Sequence, residues 1–157
     1  MILGVSGTPG CGKTTLAKIL AEESSYVYID VTSFVKEKKI YDEYDDETQS
    51  YIVDIDKLEK ELLTQLDPNT SYIIDSHMAQ DMSFIDRLIV CTCELPILKK
   101  RLESREYSRE KIQENLDAEI FDICFIDGIE NGIDATKVDC TYPLTKERKN
   151  ELISSLL

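Results

Sequence analysis

Apolar positions along the chain fall into two kinds of run. Met1 to Ser6, Tyr26 to Asp30, Tyr72 to Ile74 and Leu88 to Cys93 are short and continuous, as buried strands are, and Lys137 to Cys140 is a shorter fifth. Between them apolar residues recur three and four apart and predict helices: Leu16, Ala17, Ile19 and Leu20; Ile55, Leu58, Leu62, Leu63 and Leu66; Leu95, Leu98 and Leu102. Ile112, Leu116, Ile120 and Ile123 predict one long helix, started by a Ser108 cap. Thr32 is the expected cap of a short helix through about Lys39. Asp54 or Asp56 starts the next, stopped at Asp67-Pro68-Asn69, and Pro96 to Glu103 forms another. Thr145 caps the last, which runs to Leu157.

Strands and helices alternate without an internal repeat or linker. Right-handed βαβ connections then give an α/β fold: a five-stranded parallel sheet with helices on both faces, in one domain of 157 residues. Such sheets bind ligands beyond the carboxyl ends of their strands.

At the first of those ends stands Gly-Thr-Pro-Gly-Cys-Gly-Lys-Thr-Thr, residues 7 to 15, with Gly7, Gly12, Lys13 and Thr14 in the phosphate-loop spacing of the P-loop NTPases. Glycines allow backbone N–H groups to close on a phosphate, and the helix opening at Lys13 adds the positive end of its dipole. In this pattern the lysine reaches the outer phosphates of a nucleotide and the Thr14 hydroxyl is placed to ligate Mg²⁺. The alternative is a glycine-rich turn with no ligand, which the strand–loop–helix context disfavours.

Composition narrows the picture. Eighteen basic against 31 acidic residues give a formal charge of −13, which disfavours a protein that coats duplex nucleic acid and suits a basic protein partner, or simply a solvated acidic face. Five carboxylates in the seven residues Tyr41 to Glu47 predict an exposed, mobile loop. No apolar run approaches the roughly 20 residues that span a bilayer, and the N-terminus lacks signal-peptide features, so an intracellular protein without a membrane partner is expected. The five cysteines show no zinc-type pairing and read as reduced thiols. Cys11, inside the phosphate loop, is either open to electrophiles or simply a tolerated small residue.

Three further features carry chemistry. Asp75, ending a hydrophobic strand, is placed as a second Mg²⁺-organising carboxylate, directly or through water; alone it would read as a turn cap. His77, the sole histidine, is placed to orient a water or contact a phosphate, or is an ordinary loop imidazole. Arg101, Arg105 and Arg109 share a face if their helix is continuous and line a flap if it breaks near Glu106-Tyr107. Arginine suits closure over a transferring phosphoryl group, and Arg105 is the strongest candidate; pairing with Glu103 and Glu110 is the alternative for Arg101 and Arg109. No Asn-Lys-x-Asp guanine reader is present, and the chain is too short for a motor or transporter ATPase. A small phosphotransferase remains.

The sequence closely resembles the adenylate kinase isoenzyme 6 family, small nuclear adenylate kinases and ATPases also known as ribosome assembly factors. The resemblance rests on the phosphate loop, on Ile-Tyr-Asp-Glu-Tyr-Asp-Asp-Glu at 40 to 47, Asp-Ser-His at 75 to 77, Arg-Leu-Glu-Ser-Arg-Glu-Tyr at 101 to 107, and Lys-Ile-Gln-Glu-Asn-Leu-Asp-Ala-Glu-Ile-Phe at 111 to 121. It implies a nucleoside monophosphate kinase-like fold with a monophosphate-binding region at about 30 to 53 and a short lid at about 104 to 114. It implies ATP contacts from Gly10, Gly12, Lys13, Thr14, Thr15, Arg105 and Lys146, and maps the family's Asp-x-His pair onto Asp75 and His77. The catalytic set is then Lys13, Asp75, His77 and Arg105, with Thr14 and Asp75 at Mg²⁺.

Two residues depart from the family's usual pattern. Glu106 replaces a lid glycine, and glutamate enters the positive-φ region less readily. Lys36 replaces an arginine and cannot grip phosphate in bidentate fashion. The implied activity is phosphoryl transfer from ATP to AMP, with CMP and dAMP as further acceptors, together with ATP hydrolysis, in a monomer. The resemblance also implies a role in small-ribosomal-subunit (18S-type rRNA) maturation, with a basic small-subunit ribosomal protein as partner and placement in nucleus and cytoplasm. The alternative within this reading is an ATP-switched assembly factor in which hydrolysis dominates.

Overall fold

The structure is a computed structural model that describes residues 1–46 and 50–156. Five strands form one parallel sheet: β1 (Ile2–Gly7), β2 (Val27–Asp30), β5 (Tyr72–Asp75), β6 (Arg87–Thr92) and β7 (Asp134–Asp139), side by side in the order β2-β5-β1-β6-β7. Central β1 runs between β5 and β6, with Val5 opposite Asp75 and Gly7 opposite Cys91. The apolar runs predicted five strands, and these are the five.

Strand alternation divides the core in two. Ile73, Ile89 and Cys91 face α1 (Lys13–Glu22), α4 (Leu95–Glu103) and α7 (Lys146–Leu156) through Leu16, Leu20, Leu98, Leu102 and Leu152. Ile74, Leu88 and Val90 face the opposite way, onto α2 (Val31–Lys38), α3 (Ile55–Leu63) and α6 (Ile123–Glu130). Helices therefore cover both faces, and burying each Leu or Ile contributes about 1.5–3 kcal/mol. Among the described residues, no helix is long and apolar enough to cross a membrane.

Several local expectations are corrected. Asp30, not Thr32, caps α2, its carboxylate accepting the Ser33 N–H at 3.2 Å; the strand's terminal acid doubles as the helix cap. Asp54 rather than Asp56 caps α3, which ends at Leu63, before Leu66. The acidic stretch after Tyr41 is not simply a loop. β3 (Glu43–Asp45) pairs antiparallel with β4 (Ser50–Ile52), and tyrosines supply the cross-strand contact that carboxylates cannot: the Tyr44 and Tyr51 rings lie 5.1 Å apart and Tyr41 lies 4.7 Å from Tyr51. Glu47, the end of that stretch, lies outside the described residues, as does Leu157.

The long helix expected through Ile123 is two. α5 (Arg109–Ile120) starts at the Ser108 cap as predicted, but Asp122 takes a left-handed φ of 54° and restarts the chain as α6 in a new direction. Ile112 and Leu116 pack against the core, whereas Ile120 and Ile123 are exposed. The helical spacing crosses the break only by coincidence of composition.

Candidate functional site

The phosphate loop leaves β1 and re-enters as α1. Gly12 occupies the N-cap of α1 at φ 109°, with no side chain bonded to the helix's first N–H groups, so those donors and the helix dipole face outward. Gly7, at φ 139°, admits no substitute, since a Cβ there would stand 2.5 Å from the Cys91 carbonyl oxygen and 2.7 Å from the Cys11 sulfur. Residue chemistry and backbone together make an anion cradle that side chains would fill. Among the described residues, no group of three or more His, Cys, Asp or Glu is arranged to hold a metal. A hard cation here would need oxygen ligands, and the Thr14 hydroxyl and the Asp75 carboxylate are the oxygen donors that the cleft lining offers beside the loop.

Two clefts open from the cradle. The first, about 430 Å³, is lined by Gly10, Gly12 and Thr15 and by the 140–144 loop with Tyr142 and Leu144. The second, about 890 Å³, lies between Asp75, Ser76 and His77 on one side and Lys36, Tyr41, Tyr44 and Tyr51 on the other, with Tyr107 and Lys111 beyond. Lys13, Thr14 and Arg105 line both.

The break in the arginine segment decides between the two readings of it. α4 ends at Glu103 and α5 begins at Arg109, leaving Arg105 on the connecting segment, exposed and at the mouth of both clefts, while exposed Arg109 opens α5. Arg101 turns inward instead of pairing with glutamates. Its guanidinium donates to the carbonyls of Gly10 at 3.2 Å, Cys11 and Cys140 at 3.4 Å, and Thr141 at 2.6 Å, tying the phosphate loop to the loop after β7. Glu106 stands in the left-handed region at φ 57°, the conformation in which glycine is cheaper.

Asp75 is buried, and its Oδ2 accepts a hydrogen bond from the Tyr28 hydroxyl at 2.9 Å. Burial, then that hydrogen bond and the charges of Asp75 and Asp30, push the Tyr28 pKa well up, so the phenol keeps its proton and orients the carboxylate. His77 is open to solvent on its outer side but backed by the cleft. Desolvation first, then the nearby charges of Lys13 and Lys111, lower its pKa to about 4, so the imidazole is neutral at pH 7. Cys11 is sealed beneath the loop rather than open to electrophiles. A hydrogen bond from Cys91 lowers its pKa foremost, against desolvation, with Lys13 assisting.

Of the residues singled out in sequence, Gly10, Gly12, Lys13, Thr14, Thr15, Asp75, His77 and Arg105 all line one or both clefts. Lys146 does not line either; it opens α7 at the surface, and Lys149, one turn later, lines the first cleft. Sequence reasoning missed the inward role of Arg101, Tyr28 behind Asp75, the tyrosine cluster, and Glu119, whose carboxylate accepts from the Thr8 hydroxyl and the Cys93 N–H. Glu119 lies within the 111 to 121 segment that carries the resemblance, which was the one signal available.

Comparison with known proteins identifies the family. The AAA domain family matches residues 3–122. A Methanocaldococcus jannaschii protein named "putative adenylate kinase" is 38% identical over 141 residues, 88% of this chain and 79% of its own. The "adenylate kinase isoenzyme 6 homolog" of Dictyostelium discoideum is 38% identical over 121 residues, 76% of this chain and 69% of its own. A sugar kinase from Janibacter sp. HTCC2649 shares the fold at TM-score 0.62, with 17% identity, 98% of this chain and 90% of that one covered. By its sequence, the chain belongs to the AAA domain family and to the adenylate kinase group that includes the isoenzyme 6 homologue.

Proposed function

We propose that the protein transfers the terminal phosphoryl group of ATP to AMP, giving two ADP. The observation that carries this reading is that two separate clefts share three residues, Lys13, Thr14 and Arg105, and nothing else among their lining residues. Donor and acceptor phosphates would meet there, between a lysine and an arginine.

ATP lies in the first cleft with its base against Tyr142 and Leu144 and its phosphates on the loop. AMP lies in the second, its phosphate toward Lys36 and Arg105. The acceptor oxygen is already anionic, so no general base is required, and catalysis consists of positioning and charge stabilisation. Lys13 meets the outer phosphates as a point charge; Arg105 closes its planar fork over the transferring group. Thr14, together with Asp75 directly or through water, would hold a Mg²⁺ ion, which would supply neutralisation of phosphate charge. Tyr28 keeps Asp75 aimed. CMP and dAMP fit the same acceptor description.

Coupled-assay detection of ADP from ATP plus AMP tests the reading. We expect turnover that requires both nucleotides; ATP binding with no AMP-dependent ADP would overturn it.

A second reading takes water as acceptor. Its support is His77, neutral at pH 7 beside Lys13 and able to orient a water in the acceptor cleft. We extend the proposal, on the strength of the resemblance and of the acidic 42–46 segment, to ATP-dependent work on a basic small-subunit ribosomal protein in nucleus and cytoplasm, in the service of small-subunit rRNA maturation. Salt-sensitive binding of such a protein, with ATP hydrolysis changed by it, is the expected result. Binding indifferent to salt would remove the electrostatic part.

A further inference from the structure

An anion-binding loop is an unfavourable neighbour for a carboxylate, yet Glu119 stands against this one. Its Oε2 accepts from the Thr8 hydroxyl at 2.6 Å and its Oε1 from the Cys93 N–H at 2.7 Å. Its negative charge is felt locally, helping to hold up the pKa values of the Cys93 and Cys124 thiols after burial, the first cause of each. A carboxylate here works against phosphate binding, so its presence asks for a compensating role.

The partners suggest one. Thr8 is almost wholly buried at the first bend of the phosphate loop, and its carbonyl accepts the Cys11 N–H at 3.1 Å, the hydrogen bond that sets the loop's turn. Cys93 follows β6 and leads into α4, whose Arg101 grips the Gly10 and Cys11 carbonyls from the other side. β1 and β6 are neighbours, Gly7 lying opposite Cys91. Glu119 itself sits near the end of α5, a helix with no fully buried residue, just before the left-handed turn at Asp122. One carboxylate thus joins three segments: the phosphate loop, the β6–α4 connection, and α5, the helix whose first turns belong to the lid region.

We propose that Glu119 is a positioning residue for the phosphate loop, holding Thr8 and Cys93 in the arrangement that receives ATP and anchoring the lid helix to it. The inference deepens the kinase reading and takes from it the assignment of ATP to this loop.

The test separates position from charge. Glu119→Gln removes the charge but keeps the geometry, because its carbonyl can accept from Cys93 N–H while its amide donates to Thr8 Oγ1. Glu119→Ala removes both bonds; Thr8→Val removes one and Thr8→Ser keeps it. Affinity for a non-hydrolysable ATP analogue is measured by calorimetry, alongside kcat, KM for each nucleotide and nucleotide-free melting temperature. We expect Glu119→Ala to weaken analogue binding about tenfold, the scale of a lost charge-assisted hydrogen bond, with KM for AMP within about twofold. Glu119→Gln and Thr8→Ser should bind within about threefold of the parent, and Thr8→Val should add nothing on top of Glu119→Ala.

Unchanged analogue affinity in Glu119→Ala overturns the proposal, as does a lowered melting temperature with affinity and kcat intact, which is a structural role only. Equal damage from Gln and Ala also overturns it, because charge would then matter and position would not. If Glu119→Ala fails to fold, Thr8→Val against Thr8→Ser decides: equal affinities refute. Should the parent make no ADP from ATP and AMP while Glu119→Ala still loses the analogue, the kinase reading fails and the Glu119 role stands.

Discussion

The two clefts that meet at Lys13 and Arg105 are built of different materials. The donor side is mostly backbone: an uncapped helix N-terminus, glycines at positive φ, and carbonyls drawn together by Arg101 above a fully buried core of Leu16, Leu98 and Leu102. The acceptor side is mostly side chain: Lys36, three tyrosines on and beside a hairpin whose strands are three residues each, and an α5 with nothing fully buried. Backbone donors suit one ligand chemistry, an anion, and leave little to tune. Side chains on short, half-packed elements set which acceptor fits, and substitution there changes selectivity before it changes the fold.

Breaking the donor side should have the largest effect. Arg101→Ala strips hydrogen bonds from four carbonyls in two loops that must stay apposed. At about 1.5–3 kcal/mol for a hydrogen bond to a charged group, partly recovered by water, a net loss of about 3 kcal/mol is expected, lowering the melting temperature by about 10 °C. Calorimetry of the variant, with ATP affinity measured beside it, should show both falling together. A variant as stable as the parent would mean that the loops hold themselves and that the contrast between the clefts is overdrawn.

On the acceptor side the expected effect is smaller and selective. Lys36 lines the second cleft with its ammonium 5.6 Å from the Tyr51 ring centre. Lys36→Arg offers a phosphate two parallel hydrogen bonds in place of one point charge and should lower KM for AMP roughly fivefold, with KM for ATP unmoved. An equal change in both constants would show that the clefts are not independently built.

His77 sharpens the comparison through pH. Its folded pKa of about 4 lies below the ordinary 6.5, so the unfolded chain binds the proton more tightly. The sign follows: its contribution to stability is complete above pH 6.5 and is lost as pH falls toward 4. His77→Asn should flatten the fall of melting temperature across that window. The imidazole is exposed on one side, so solvent screening keeps the effect modest. An unchanged slope would assign the acid sensitivity to other groups.

How the contrast was written in the sequence also differs between the sides. The sheet was legible because strands buried on both faces need continuous apolar runs, and the phosphate loop because its glycines and lysine are adjacent in sequence. Arg101 and Glu119 were not, since most of their partners lie between 26 and 111 residues away and most are backbone groups, which no side-chain pattern records. The hairpin was hidden by its carboxylates, which resemble a solvated loop until Tyr44 and Tyr51 are seen to pair across it. The division of α5 from α6 was hidden because Ile120 and Ile123 keep helical spacing across Asp122 while facing solvent.

The smallest effect belongs to the segment between α4 and α5 that joins the two sides. Glu106 and Gly12 both hold positive φ, at 57° and 109°. At Gly12 a Cβ would come within 3.1 Å of the Cys140 Cβ, so substitution there meets packing as well as backbone strain. Glu106 is exposed and meets neither core. Replacing it by glycine relieves about 1 kcal/mol of left-handed strain but restores a similar amount of unfolded-chain freedom. Glu106→Gly should therefore move the melting temperature by less than about 2 °C and kcat by less than about twofold. A rise of several degrees would show that this segment stores backbone strain, and the division into a rigid donor side and an adjustable acceptor side would then have to be redrawn with the segment on the rigid side.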